Sequence, residues 1–354
     1  MPVTLAKNPS TIRIDNRASR DLEPAERAGR QDKQLIIGLL NNMSAIEATE
    51  RQFTSLLESA SHGFSILLKR YYMPEVAKSE SAALYRGRHY ESIESLWGSD
   101  LDGLIVTGRE PLTSNLRDEP YWDSFVRVLE WARENTCSAI WSCLAAHAAV
   151  LHMDGIPRVR SEQKYSGIFD CTRVSDHPIA AKVPARVRLP HSRWNGLAEA
   201  DLTRSGYDVI TRADDAGVDC FIKQDRSLFV FFQGHPEYQS ETLLLEYRRD
   251  VARFLRGDSV NYPGVPRGYF NDQALQELSE IQRQATGQPQ EATLARLATV
   301  FSATSKENGW HTTASTFYRN WLEHISSEKQ LREGIGPATT ATSPADTLAS
   351  AGAA

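Results

Sequence analysis

The chain has 354 residues, 41% of them apolar and 24% charged, with a formal charge of -5 at pH 7. That length suits one large α/β domain or two ordinary ones, and the composition is that of a soluble globular protein with a core of normal size. The acidic balance argues against nucleic acid or an anionic membrane as main partner, and no run of about 18 apolar residues reads as a membrane span.

Taken along the chain, residues 1–33 are polar and charged and read as an N-terminal arm rather than a core element. Residues 35–40, L-I-I-G-L-L, form the first buried strand. The helix expected over 45–57 places Ile46, Phe53, Leu56 and Leu57 near one face. Residues 64–68 and 102–107 are further strands, and 121–134 is an amphipathic helix. Residues 138–142 are the next strand, with a helix from about Leu144. This βαβα rhythm predicts an α/β fold, a mostly parallel central sheet flanked by helices. After about residue 165 the strands come closer together, at 185–189, 207–211, 219–223 and 228–232, which predicts an antiparallel section or an added edge of the same sheet. Residues 240–255 form a long charged helix, and 272–331 is a helical extension. The α/β domain, extension included, is expected to span 34–332. The tail 333–354, rich in Ala, Thr and Ser, cannot bury enough apolar surface to offset ordering and is expected to be disordered.

Four cysteines in so long a chain, none in a C-x-x-C pair, fit neither a disulfide framework nor a zinc ribbon. With no signal-peptide pattern at the start, a reducing cytoplasm is the expected compartment. No H-E-x-x-H, G-x-G-x-x-G or G-x-x-x-x-G-K-[ST] occurs, so no metal and no permanently bound cofactor is expected.

One cysteine stands apart. Residues 139–149 read A-I-W-S-C-L-A-A-H-A-A, so Cys143 sits where a strand turns into a helix. Such a turn lifts the side chain above the sheet edge. The helix N-terminus then supplies unbonded N–H groups and a partial positive charge, which favour a thiolate and can hold an oxyanion. A small buried hydrophobe is the plainer reading of the same residue. A thiol nucleophile needs a base. In Q-G-H-P-E-Y, after the apolar run 228–232, His235 can take a proton and Glu237 can orient the ring. His147, one turn beyond Cys143, either faces the same pocket or packs in the helix, and His191 is an intermediate case.

Several motifs in order carry a family resemblance. They are L-N-N-M-S-A-I-E-A-T-E-R-Q-F (40–53), D-G-L-I-V-T-G (102–108), E-P-Y-W (119–122), the Cys143 elbow, K-Y-S-G-I-F (164–169), P-H-S-R (190–193), G-H-P-E-Y (234–238) and E-Y-R-R-D (246–250). The series, over roughly 34–325, resembles the homoserine O-acyltransferases of the homoserine O-succinyltransferase type. The resemblance implies a class I glutamine-amidotransferase-like fold. It also implies ping-pong acyl transfer from acyl-CoA, the co-substrate, to the γ-hydroxyl of L-homoserine in methionine biosynthesis. Cys143 would carry the acyl group, with His235 as general base and acid and Glu237 as its partner. Lys164 would help hold the acyl-CoA or the oxyanion, Arg249 the homoserine carboxylate, and Ser192 and Arg193 would line the cleft. The family also implies a homodimer.

The chain departs from the family pattern at several points. The elbow, usually C-W-G-A-Q-A, is C-L-A-A-H-A, and Ser44 replaces a proline. The acyl-selecting loop reads R-E-P-L-T (109–113), which puts Leu112 at the position that is small in succinyl enzymes and glutamate in acetyl enzymes. Arg109 could pair with a succinyl carboxylate, which favours succinyl over acetyl. A glutamine-amidotransferase-like cysteine hydrolase, an acyltransferase for another amino-acid alcohol, and a non-catalytic paralogue are the competing readings.

Overall fold

The structure is a computed structural model that describes residues 9–15, 33–76, 79–285, 290–303 and 309–334. Among these, eleven strands join one sheet: β1 Thr11–Ile14, β2 Lys33–Leu40, β3 Phe64–Tyr72, β4 Glu91–Ser92, β5 Gly103–Thr107, β6 Ser138–Ser142, β7 Val159–Arg173, β8 Arg186–Gly196, β9 Asp208–Ala213, β10 Gly217–Gln224 and β11 Leu228–Phe232. The helices are α1 Ile46–Ala60, α2 Glu80–His89, α3 Trp122–Asn135, α4 Leu144–Asp154, α5 Glu199–Arg204, α6 Thr242–Leu255, α7 Asp272–Gln284, α8 Gln290–Ala303 and α9 His311–Arg332.

The strand order is β1-β3-β2-β5-β6-β11-β10-β9-β7-β8, with β4 beside β3. The centre, β3-β2-β5-β6-β11, is parallel, as the βαβα rhythm predicts. From β11 outward the pairing is antiparallel through β10, β9, β7 and β8, so the crowded strands after residue 165 extend the same sheet. The central strands read as unbroken apolar runs because helices bury both faces. On one face Phe53, Leu56 and Leu57 of α1 meet Phe317, Trp321 and Ile325 of α9 over the sheet. On the other, Phe125, Val128 and Leu129 of α3 and Ala145, Ala149 and Val150 of α4 pack on Trp141 and Phe229. The result is a three-layer α/β/α arrangement. Helices α6, α7 and α8 gather around a smaller cluster with Tyr247, Val251, Leu278 and Leu297.

Four elements differ from the sequence reading. Thr11–Ile14, inside the stretch read as an arm, is an antiparallel edge strand on β3, with Ile12 and Ile14 buried. Four residues carry too little periodicity to stand out from their polar flanks. Helix α2 buries only Ala82, so it shows no apolar stripe; Ser79 caps it by accepting from the Ala82 N–H at 3.4 Å. Strand β7 is mostly exposed along its first half and shifts register between Arg160 and Tyr165, which hides its alternation. Helix α9, part of the region read as an extension, packs in the main core. The remainder of 1–33 and the tail from 335 lie outside the described residues.

The sheet gathers its parallel strands' exits at one edge. Thr107 and Phe232 both pair with Ser142, so the residues following β5, β6 and β11 leave side by side. Ligand sites of open α/β sheets form at this carboxyl edge.

Candidate active site

Cys143 is the single residue between β6 and α4. Its backbone, φ 52° and ψ -110°, is in a region that non-glycine residues seldom adopt. Its N–H donates to the Phe232 carbonyl at 2.7 Å, tying the elbow to the neighbouring strand. The first amides of α4, on Leu144 and Ala145, have no acceptor within the helix. Gly108, just past β5, lies against them: a Cβ there would come within 2.7 Å of the Leu144 nitrogen and 3.0 Å of the Ala145 nitrogen. Glycine therefore leaves those N–H groups uncovered beside the thiol.

His235 and Glu237 stand next to Cys143. The His235 N–H donates to the Pro190 carbonyl at 2.8 Å, which sets the loop. Its ring Nδ1 is 2.8 Å from Glu237 Oε1, leaving Nε2 for its other hydrogen-bond partner, the Cys143 sulfur. Both residues are buried. Burial alone would depress the imidazole pKa, but the charges of Cys143 and Glu237 outweigh it and hold the imidazolium well above its ordinary range. The Tyr238 ring stacks on His235 at 4.2 Å, and the Tyr238 hydroxyl donates to Glu246 at 2.9 Å. Trp310, at the start of α9, donates to the Tyr238 carbonyl at 2.8 Å, so a core helix braces the loop that carries His235.

A cleft of about 1460 Å³ opens over this pair. On one wall Lys164 meets Asp250 at 2.8 Å, and Arg249 meets the same carboxylate at 2.9 Å. Burial would raise the Asp250 pKa, yet the two cations hold it below the usual value. Asp250 thus aims both cations, and the Arg249 side chain stays 46% exposed to the cleft. Ser192 also lines the cleft. Arg193 also reaches the cleft, but its nitrogens serve the protein: Nε donates to His191 Nδ1 at 3.3 Å, Nη1 to the Asn195 carbonyl at 2.7 Å, and Nη2 to the Ala216 carbonyl. It braces β8 rather than presenting free donors. His191 is fully buried against Asp219 at 3.2 Å.

The loop after β5 forms the opposite rim. Glu119 shapes it, its Oε1 accepting from the Leu112 N–H at 2.7 Å and the Thr113 N–H at 2.8 Å. Leu112 is 63% exposed. Arg109 lies 5.8 Å over the Tyr121 ring, and its Nη1 is buried without a partner. Glu110 bonds Arg253 of α6 with both oxygens, at 2.9 and 2.8 Å, and so bridges the rim to the far wall.

The sequence reading missed Arg158, Asp250 and Glu119 as parts of this site. Arg158 precedes a strand with no readable period. Asp250 and Glu119 lie in quoted motifs but showed no chemistry of their own. Among the described residues no group of three or more His, Cys, Asp or Glu could hold a metal ion, and no helix is long and apolar enough to cross a membrane.

The family model described as homoserine O-succinyltransferase matches residues 2–331. The chain belongs to the homoserine O-succinyltransferase family. Relatives bearing that name include one from Rhodopseudomonas palustris, 45% identical over 82% of this chain and 88% of its own length. Another, from Bradyrhizobium japonicum, is 42% identical over 86% of this chain and 95% of its own. Among solved structures, a glutamine amidotransferase from Thermotoga maritima aligns over 82% of this chain and 98% of its own, with a TM-score of 0.47 and 11% identity. As a member of the homoserine O-succinyltransferase family, the chain is an acyltransferase.

Proposed function

We propose that the protein moves a succinyl group from succinyl-CoA to the γ-hydroxyl of L-homoserine, a step of methionine biosynthesis, through an acyl-Cys143 intermediate. The observation that carries this reading is the Cys143–His235–Glu237 set on a positive-φ elbow at a helix N-terminus.

In the first half-reaction the Cys143 thiolate attacks the thioester carbonyl. The oxyanion takes hydrogen bonds from the Leu144 and Ala145 N–H groups, which Gly108 leaves open. The carbon–sulfur bond to CoA breaks, and the His235 imidazolium gives its Nε2 proton to the departing thiolate. In the second, the homoserine hydroxyl attacks the acyl-cysteine while His235 Nε2 takes its proton. The new ester forms and Cys143 leaves as thiolate. Acylation removes one of the two negative charges that raise His235, so the same ring is an acid in the first half and a base in the second.

Arg249, half free of Asp250, suits the homoserine carboxylate, since a guanidinium grips carboxylates with two donors. Lys164 lies where it can face the acyl donor. The unpartnered Nη1 of Arg109 favours an acyl chain ending in a carboxylate, hence succinyl over acetyl.

Intact-protein mass spectrometry after mixing with succinyl-CoA or acetyl-CoA tests this reading. The expected result is a succinyl mass on Cys143 that disappears when L-homoserine is added. No adduct from either donor, or an adduct lost equally fast to water, would overturn it in favour of hydrolysis.

A further inference from the structure

His147 stands where the family pattern has glutamine, and its two ring nitrogens have opposite fates. Nε2 lies 2.9 Å from Gln233 Oε1. The Gln233 amide is fixed by backbone on both ends: its Nε2 donates to the Val218 carbonyl at 2.6 Å, and its Oε1 accepts from the Leu197 N–H at 3.1 Å. An amide oxygen only accepts, so His147 Nε2 must carry the hydrogen. Nδ1 is therefore a bare acceptor. It is buried and unpartnered, on a side chain only 2% exposed that lines the cleft one turn beyond Cys143. Burial, with Arg193 and Arg158 nearby, pushes the pKa down to about 3, so the ring stays neutral and keeps this tautomer.

Arg158 is the complement. Its Nη2 donates to the Ser114 carbonyl at 3.0 Å, while Nη1 is buried with no partner. It too lines the cleft, and it is close enough to feel both Cys143 and His147 electrostatically. The two nitrogens are not bonded to each other, since neither has any partner. A buried polar atom left without a partner is costly unless something fills its hydrogen bond.

A lone acceptor and a lone donor, both buried and both on residues lining the cleft that holds the thiol, match the two groups that a secondary amide presents on its opposite edges. We infer that His147 and Arg158 together read the amide two carbons beyond the thioester sulfur of the acyl donor, His147 Nδ1 accepting its N–H and Arg158 Nη1 donating to its carbonyl. The His147 N–H donates to the Cys143 carbonyl at 3.3 Å, one turn of about 5.4 Å along α4. That is the order of length spanned by the sulfur and the two carbons of the arm. The inference rests on the acyl-CoA reading above, and it assigns the arm of the donor to the α4–Arg158 side of the cleft.

The test uses two small donors with L-homoserine as acceptor: the succinyl thioester of N-acetylcysteamine, which carries the amide, and that of an alkanethiol of equal length, which does not. The wild-type enzyme should favour the amide donor in kcat/KM by about tenfold or more. His147→Phe should bring that preference to about threefold or less. His147→Gln should restore it, because glutamine offers a donor to Gln233 and an acceptor to the amide. Arg158→Leu should also erase the preference, with little change in the KM for L-homoserine, and it decides the matter should His147→Phe fail to fold. A preference that survives in His147→Phe or Arg158→Leu, or that is absent from the wild type, overturns the inference while acyl transfer stands. A wild-type enzyme that accepts neither small donor nor succinyl-CoA overturns the acyl-transfer reading and this inference with it.

Discussion

In the proposed cycle His235 holds a proton when the thioester is attacked and lacks one when the alcohol attacks. Its surroundings change between the two steps. In the free enzyme burial works against the imidazolium, and the charges of Cys143 and Glu237 override it. Once Cys143 is acylated only Glu237 remains, 2.8 Å away, and the balance moves back towards the neutral ring. Single-turnover measurements over a pH series should therefore give two different midpoints. Acyl transfer to homoserine should rise through an apparent pKa lower than the one at which the free enzyme loses its imidazolium. A common midpoint for both halves would exclude the switch. The sign for folding runs the other way from that of a paired carboxylate. A histidine raised in the folded state stabilises fully below its unfolded value, about 6.5, and that stabilisation fades as pH climbs through the folded value.

At the scale of elements, the site is a meeting of strand exits, and Gly108 shows how closely they meet. A methyl at this position would press on the Leu144 Cβ at 2.7 Å as well as on the two N-terminal amides of α4. Gly108→Ala should cost kcat about 10²–10³-fold, the range for losing an oxyanion donor, with the KM for L-homoserine changed by less than about threefold. Steady-state kinetics beside a thermal melt would check it, and a kcat within a few-fold of wild type would take the α4 amides out of the oxyanion role. These elements were legible where burial is two-sided or striped. The central strands and α1, α3, α4 and α6 could be read because apolar runs and 3.6-residue stripes record the faces they bury. Helix α2 and strand β7 could not, since their residues mostly face solvent or line the cleft. The site divides in the same way. Cys143 and His235 sit at visible strand ends. The roles of Asp250, Glu119 and Arg158 depend on contacts between segments far apart in sequence, which no local pattern encodes.

Across the whole molecule, the catalytic edge is only as firm as the core beneath it, and α9 connects the two. Its Trp321 is buried at the centre of the sheet face and donates from Nε1 to Ser138 Oγ at 2.9 Å, while Ser138 Oγ donates on to the Leu228 carbonyl at 2.6 Å. That chain of bonds clamps the start of β6 to the start of β11, the strands that carry Cys143 and His235 at their other ends. The sheet is shaped to receive the helix: a Cβ on Gly103 would strike Ile325 at 2.6 Å and Trp321 at 3.1 Å. Trp321→Ala removes a large buried ring and leaves Ser138 Oγ without its donor, so it should destabilise by about 3–5 kcal/mol, the range for deleting a core aromatic. Urea unfolding followed by fluorescence and circular dichroism would measure that loss. The clamp lies at the far end of the strands from the thiol. Molecules that remain folded should therefore keep a kcat within a few-fold of wild type, once the rate is divided by the folded fraction. A mild effect on stability, or a kcat that collapses in fully folded protein, would mean that α9 governs the site directly rather than through the sheet.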